Sequence, residues 1–169
     1  YTDYQSFKFT WKDIENTARD MHDNLGLKKA FICTWGGYSK LPPESLPFNP
    51  ETGSIDELKR MVKTVQDYGY LYASYHGYPA FLSHSTSCIP EEAVMSELGG
   101  MGGRWGGRCS HFYRKYAEQN LPETLKITGQ VTDYTDMINA SGLRECHSPV
   151  HPHTRTQEKE LFIDLFNYI

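Results

Sequence analysis

Apolar side chains recur at helical spacing in four segments of the chain. In the clearest one, Ser54 and Glu57 form a capping box, a single apolar stripe follows, and Gly69 ends it. The other three segments begin after Thr10, near residue 110 and after Thr154. The pattern therefore predicts four α-helices.

Three segments between these helices have the composition of β-strands. Residues 29–35 form a short apolar run that fits a strand buried on both faces, and residues 70–76 are rich in aromatic side chains. The third strand is predicted at about 125–133. Because helices and strands alternate, the strands should be parallel neighbours joined by right-handed crossovers.

The two kinds of connection differ in length. Turns from helix to strand are predicted to be short, around Gly26, Gly69 and Pro122. The stretches from strand to helix are long: 36–53, 77–109 and 134–153. Since ligands of parallel α/β folds bind at the carboxyl ends of the strands, long loops at that edge predict a functional site there.

Composition narrows the classes of function. The chain has 169 residues with a net charge of −4 and no run of basic residues, so a nucleic-acid partner is not expected. No apolar stretch approaches the length of a membrane-spanning helix. Aromatic residues reach 14%, with 12 Tyr. Flat rings suit a sugar-binding surface, although cores and interfaces use them as well.

Cysteines and histidines lie mostly in the long loops. His147, His151 and His153 follow Cys146, and imidazole and thiolate are ligands of zinc and iron. Their spacing matches no standard metal motif, so polar contacts to a hydroxylated ligand or simple packing are favoured, and neither a metal nor a cofactor is assigned. The cysteines show no CxxC pair and are compatible with a disulfide or with free thiols. The four cysteines are Cys33, Cys88, Cys109 and Cys146. Cys33 lies in a predicted strand, and we expect it to be a small buried apolar residue.

Asp136 is the first candidate for a catalytic residue, and Asp133 is the second. Barrel enzymes place catalytic carboxylates at the carboxyl ends of parallel strands, although either acid could instead cap the following turn. Glycoside hydrolysis requires two carboxyl groups that flank the scissile bond. No equally convincing partner for Asp136 is found elsewhere in the chain.

Aromatic and polar side chains at the same predicted edge are candidate substrate contacts. For any single aromatic residue, the alternative is that its ring closes the top of the core. The candidates are Trp35, Tyr38, His76, Tyr78, Trp105, Arg104, His151 and Arg155. A glycine-rich run at 99–107 lies among them, and it is either a flexible connector or a backbone that approaches a ligand closely. It is not a phosphate-binding loop, because no Gly-Lys-Ser/Thr sequence follows.

Several short motifs occur in an order that resembles a glycoside-hydrolase-like barrel family, whose relatives include endo-α-N-acetylgalactosaminidases and other α-glycosidases. The resemblance covers about residues 25–160. The motifs are Leu25-Gly-Leu-Lys-Lys-Ala, Trp35-Gly-Gly-Tyr38, Leu46-Pro47, Gly69-Tyr-Leu-Tyr, Trp105-Gly-Gly, Tyr134-Thr-Asp136, Glu145-Cys146 and His151-Pro-His-Thr-Arg155.

This resemblance implies an α/β chain that forms a partial (β/α)8 TIM barrel, about strands two to four, with residues 1–169 as a single segment truncated at both ends. It implies Asp136 as nucleophile on the fourth barrel strand, and as partners a carbohydrate substrate and the remaining barrel strands. It also favours a secreted or cell-surface protein.

One departure from the family pattern keeps other functions open. The sequence His76-Gly-Tyr-Pro stands where an acidic loop of the type His-Asp/Asn-Asn-Tyr-x-Asp is expected. The alternatives are a non-catalytic carbohydrate-binding barrel and a metal-dependent hydrolase that uses the loop histidines.

Overall fold

The computed structural model describes residues 9–34, 48–81, 85, 87–102, 107–138, 140 and 142–169. Helices and strands alternate along the chain. They are α1 (Trp11–Asp23), β1 (Phe31–Thr34), α2 (Ile55–Asp67), β2 (Leu71–His76), α3 (Tyr113–Thr128), β3 (Tyr134–Thr135) and α4 (Arg155–Tyr168). Short 3₁₀ turns occur at Pro50–Thr52, Pro90–Glu92 and Ser110–Phe112. None of the described helices combines the length and apolar character needed to cross a membrane.

The three strands form one open, parallel sheet in the order β1-β2-β3. β1 and β2 pair in a register that runs from Phe31 opposite Leu71 to Thr34 opposite Ser74. The predicted α/β class with parallel strands is therefore confirmed.

The helix termini agree with the capping residues that the sequence predicts. Thr10, Ser54 and Thr154 each accept a hydrogen bond from the backbone N–H three residues later, and each capping box is complete. Such boxes satisfy backbone donors that the first helical turn leaves unpaired. Gly69 adopts a φ of 77° one residue beyond the C-cap Tyr68 of α2, and β2 begins two residues later.

The described residues divide into two compact units. The first covers residues 9–34, 48–75 and 122–134, and the second covers 76–121 and 135–169. In the first unit the apolar stripes of α1 and α2 pack with residues that lead into and form β2. Its buried core comprises Trp11, Ala18, Leu58, Met61, Val62, Val65, Tyr70 and Tyr72. The core of the second unit is built around Tyr78, Tyr113, Tyr116, Ala117, Ile138, Phe162 and Leu165.

The predicted position of the third strand is wrong. α3 continues through Pro122 to Thr128, and β3 comprises only Tyr134–Thr135. Pro122 is exposed, and a helix surface tolerates the loss of one internal hydrogen bond better than a core does. Gly129, at φ 67°, ends the helix and donates its N–H to the carbonyl of Leu125 at 2.8 Å. The helix-to-strand turn is therefore at Gly129 and not at Pro122.

The expected burial of the first strand on both faces is also wrong. Phe31 is 49% exposed, and of the four residues of β1 only Thr34 is buried. The reason is the position of β1 at one edge of the sheet formed by the described strands. Cys33 is accordingly only half-buried.

Candidate functional site

The loops that follow β2 and β3 begin side by side. His76 is the last residue of β2, and Asp136 is the first residue after β3. The backbone N–H of Asp136 donates to the backbone carbonyl of His76 at 2.9 Å. Asp136 therefore lies at the carboxyl edge of the sheet, where parallel α/β enzymes place their chemistry.

The two candidate carboxylates occupy opposite ends of β3. Asp133 precedes the strand, whereas Asp136 follows it. An oxygen of Asp133 lies 3.4 Å from the side-chain nitrogen of Gln130, in the segment that leads into the strand. Because β3 begins later than the sequence pattern suggests, Asp133 does not share the strand end that Asp136 occupies.

His76 and Tyr78 form a stacked pair. Their ring centroids lie 5.7 Å apart at an interplanar angle of 9°, and each side chain is 1% exposed. Tyr78 belongs to the buried cluster that includes Tyr113 and Phe162. This geometry favours the packing role over an open sugar-binding surface for both residues.

Two of the remaining predicted substrate contacts, Arg155 and His151, lie at the start of α4 and in the loop before it. Arg155 begins α4 with an exposed side chain, whose Nε lies 3.9 Å from a carboxylate oxygen of Glu145. His151 is buried in the loop that precedes α4. Trp35, Tyr38, Arg104 and Trp105 lie outside the described residues.

Part of the glycine-rich run is an ordered turn. The N–H of Gly102 donates to the carbonyl of Val94 at 2.8 Å, and the N–H of Val94 donates to the carbonyl of Gly107 at 2.7 Å. Arg108, next in the chain, is fully buried and donates to the carbonyl of Ser87 at 2.6 Å. Gly102 and Gly107 are therefore both hydrogen-bonded to the backbone of Val94.

The loop histidines do not act as one group. His147 is exposed, with its Nε2 3.7 Å from a carboxylate oxygen of Glu145, whereas His151 and His153 are buried. Cys109 also belongs to this buried region, and it could not be grouped with the histidines from the sequence because it lies far from them in the chain. One donor atom from each of Cys109, Cys146 and His153 lies within 4.8 Å of the other two. No local sequence signal could have identified this group.

Burial dominates the electrostatics of this group. Burial, helped by the nearby charges of His111, Arg144 and His151, lowers the pKa of His153 to about 4, so its ring is neutral at pH 7. Burial also raises the pKa of the Cys109 thiol, although a hydrogen bond from the backbone of His111 opposes that effect. With nothing bound, the His153 ring is therefore neutral and the Cys109 thiol keeps its proton near neutral pH.

Comparison with known proteins identifies the architecture. No family model and no curated protein matches the sequence. Solved structures do match, among them an α-N-acetylgalactosaminidase, NagBb from Bifidobacterium bifidum in complex with GalNAc. That match has a TM-score of 0.85 and 23% identity, and it covers 99% of this chain and 30% of NagBb. The chain has the fold of part of a glycosidase domain.

A second, more distant glycosidase gives the same result. A variant of the GH36 α-galactosidase AgaA from Geobacillus stearothermophilus, solved in complex with stachyose, matches with a TM-score of 0.63 and 14% identity. The match covers 95% of this chain and 24% of AgaA. The chain thus spans less than a third of the length of these proteins.

Proposed function

We propose that this chain is part of the catalytic domain of a glycoside hydrolase that acts on an oligo- or polysaccharide. The observation that carries the proposal is the position of Asp136 at the carboxyl end of a parallel strand, hydrogen-bonded to the end of the neighbouring strand through His76. The fold shared with part of NagBb and part of AgaA supports it.

In this proposal Asp136 is the nucleophile or the charge stabiliser. Glycosidases generate an oxocarbenium-like transition state, and an ionised carboxylate next to the anomeric carbon either attacks it or stabilises its charge. Backbone pairing to His76 fixes the Cα of Asp136 at the strand edge, which is the precise positioning that such a step requires.

The second carboxyl group is proposed to come from barrel strands outside this chain. Within the chain, Asp133 lies at the other end of β3. Glu145 is exposed, and its carboxylate oxygens lie 3.7 Å from His147 and 3.9 Å from Arg155. We therefore expect neither residue to face Asp136 across a sugar ring, at the separation of about 5–10 Å that glycosidases use.

One observation favours a second candidate, a non-catalytic carbohydrate-binding barrel. The segment after β2 carries no acidic residue between His76 and Cys88, and its Tyr78 is packed into the core. A loop built for packing would leave a sugar-binding face without one of its polar contacts.

The experiment that tests the proposal uses a protein in which this chain is joined to the rest of the barrel. Aryl α-N-acetylgalactosaminide and aryl α-galactoside are the first substrates, chosen from the sugars named for NagBb and AgaA. We expect hydrolysis of one of them that Asp136→Asn abolishes. Glycan binding without hydrolysis would support the non-catalytic barrel instead.

The isolated chain provides a further test of where the second acid lies. We expect residues 1–169 alone to hydrolyse neither substrate, because one carboxylate is insufficient. Hydrolysis by the isolated chain that is lost in Asp136→Asn would place both carboxyl groups inside these residues and would contradict that part of the proposal.

A further inference from the structure

The second unit brings two cysteines and two histidines together from two separate loops. Cys109 lies directly before the 3₁₀ turn Ser110–Phe112 that leads into α3. Cys146 and His153 face each other in an antiparallel bridge, with reciprocal backbone hydrogen bonds of 2.9 and 3.0 Å. Residues opposite each other in such a bridge project their side chains to the same side. The bridge therefore directs Cys146 and His153 together, and His151 is two residues away.

Two sulfur–nitrogen distances among these side chains match those of a tetrahedral zinc site. Cys109 Sγ lies 3.5 Å from His153 Nδ1, and Cys146 Sγ lies 3.5 Å from His151 Nδ1. Zinc binds sulfur at about 2.3 Å and imidazole nitrogen at about 2.0–2.1 Å, so a tetrahedral angle between them separates the two donor atoms by about 3.5 Å. The donors of Cys109, Cys146 and His153 all lie within 4.8 Å of one another, and both cysteines are free thiols.

Neighbouring groups orient the histidine rings for metal binding. His151 Nε2 lies 2.7 Å from the carbonyl oxygen of Glu91, and because a carbonyl only accepts, Nε2 must carry the proton. In that tautomer the ring lone pair is on Nδ1, the atom that faces Cys146. His153 likewise directs Nδ1 to Cys109, while its Nε2 lies 3.4 Å from Ser110 Oγ and 3.9 Å from a carboxylate oxygen of Glu158. Metal-binding histidines commonly donate their second ring nitrogen to such a group.

A backbone donor also lies next to one of the thiols. The N–H of Met95 lies 3.4 Å from Cys146 Sγ, within reach for a weak hydrogen bond to sulfur. Such donors stabilise a thiolate once a metal is bound. Two thiolates would balance the charge of a divalent ion, so loading the site adds no net charge to a buried region.

We propose that Cys109, Cys146 and His153 bind a zinc ion, with His151 as the fourth ligand. Thiolate and imidazole donors select zinc over calcium and magnesium, which prefer oxygen ligands. The four side chains are only 0–7% exposed, which is the closed arrangement of a structural zinc site. The metal would fasten the start of α3 to the bridge that precedes α4. This inference is independent of whether the chain belongs to a glycosidase.

Metal loading is tested on purified protein that has been stripped with a chelator and kept reduced. Titration with Co²⁺, which replaces zinc with similar geometry, should produce the intense visible bands and the sulfur-to-cobalt charge transfer of a tetrahedral thiolate site. Elemental analysis of the zinc-loaded protein should find equimolar zinc. We expect Cys109→Ser and His153→Ala to lose both signals. Absence of the cobalt bands in the reduced wild-type protein would overturn the proposal.

His147→Ala is the matched control. His147 belongs to the same short histidine cluster, but its side chain is exposed and its Nε2 lies near the carboxylate of Glu145. Its loss should therefore leave the zinc content and the cobalt spectrum unchanged. Glu158→Gln should weaken zinc affinity by about 10–100-fold through loss of the carboxylate next to His153. Loss of the cobalt spectrum in His147→Ala but not in His153→Ala would contradict the ligand assignment.

A thiol assay keeps the test decisive if a ligand variant fails to fold. In the wild-type protein, zinc should slow alkylation of Cys109 and Cys146, read by peptide mass spectrometry, and leave the half-buried thiols of Cys33 and Cys88 unaffected. Equal rates with and without zinc would refute the site. So would a stoichiometric disulfide between Cys109 and Cys146 in protein purified without reductant.

Discussion

The backbone N–H of Asp136 donates to the backbone carbonyl of His76 across 2.9 Å. This hydrogen bond joins the first residue after β3 to the last residue of β2. Because it involves only main-chain atoms, this hydrogen bond does not use the side chain of Asp136. A substitution at Asp136 can therefore remove the carboxylate and keep this backbone contact.

Asp136→Asn should remove glycosidase activity from the protein that contains the complete barrel. Asparagine is nearly isosteric with aspartate but cannot act as an anionic nucleophile or charge stabiliser, so we expect kcat/KM to fall by roughly 10³-fold or more. Steady-state hydrolysis of the aryl α-glycosides measures the effect, and circular dichroism checks that the fold is unchanged.

Asp133→Asn is the matched control for that variant. Asp133 precedes β3 and lies near Gln130, away from the strand end that Asp136 occupies. We expect its kcat/KM to stay within about 10-fold of the wild type. Equal losses in the two variants would show that Asp133 acts in the same step, as the second catalytic candidate.

Gly102→Ala should destabilise the loop that leads to Arg108. A Cβ on Gly102 would overlap Cγ1 of Val94 and would lie 2.8 Å from the Cα of Gly107, and the latter is backbone that cannot turn away. Overpacking of this kind costs about 1–3 kcal/mol in free energy of unfolding. Urea denaturation followed by tryptophan fluorescence measures the change.

Gly100→Ala tests whether that effect is local to the tight contact. The nearest atom to its added Cβ is the side-chain oxygen of Ser96 at 3.2 Å, which can move aside. We expect a change within about 0.5 kcal/mol. If both alanines were tolerated, the run would act as a flexible connector, one of the two interpretations that the sequence alone leaves open.

Glu15 should contribute to stability in a pH-dependent way. It is buried on α1, 3.0 Å from Arg19 and 3.2 Å from Arg60. Burial by itself would raise the pKa of Glu15, but the hydrogen bond from Arg60 and the charges of Lys12, Arg60 and Arg19 outweigh it, so the net shift is below the ordinary value of 4.5. Its stabilisation is therefore complete above pH 4.5 and is lost as the pH falls through the lowered pKa.

The measurement compares Glu15→Gln with the wild type. At neutral pH we expect the substitution to reduce the free energy of unfolding by about 1–3 kcal/mol, and the difference should shrink at about pH 3. Asp67→Asn is the control, because its ion pair with Lys63 is exposed and should contribute less than about 1 kcal/mol. A difference for Glu15→Gln that grows on acidification would contradict the direction of the pKa shift.

Local sequence signals predict the elements of this fold better than they predict its site. The capping box of Ser54 and Glu57 fixes the start of α2 because both partners lie within one helical turn. The sequence pattern predicts the third strand too early because it treats Pro122 as the end of the preceding helix. A proline at an exposed helix position destabilises the helix less than this prediction assumes, and the helix ends at Gly129. The residues near 125 have no strong preference for helix or strand, so they continue the helix that precedes them.

The Cys and His group shows why the site is harder to predict. His147, His151 and His153 look equivalent in the sequence, but the bridge between Cys146 and His153 turns His147 outward. Cys109 precedes α3, and it approaches Cys146 and His153 only because the chain that follows it folds back to the bridge. That path is set by long-range packing, which no short motif records.

Arg108→Lys should destabilise the second unit although the positive charge is kept. The fully buried guanidinium donates through one nitrogen to the carbonyl and to the hydroxyl of Ser87, at 2.6 and 3.1 Å, and it stacks 3.6 Å from the ring centroid of Tyr116. A lysine ammonium is not planar and cannot make both the stack and the forked contact, so we expect a loss of about 1–3 kcal/mol. Arg155→Lys, at an exposed position 69% accessible, should change stability by less than about 0.5 kcal/mol in the same urea titration. Equal stability of the two variants would show that charge alone, and not guanidinium geometry, is what position 108 requires.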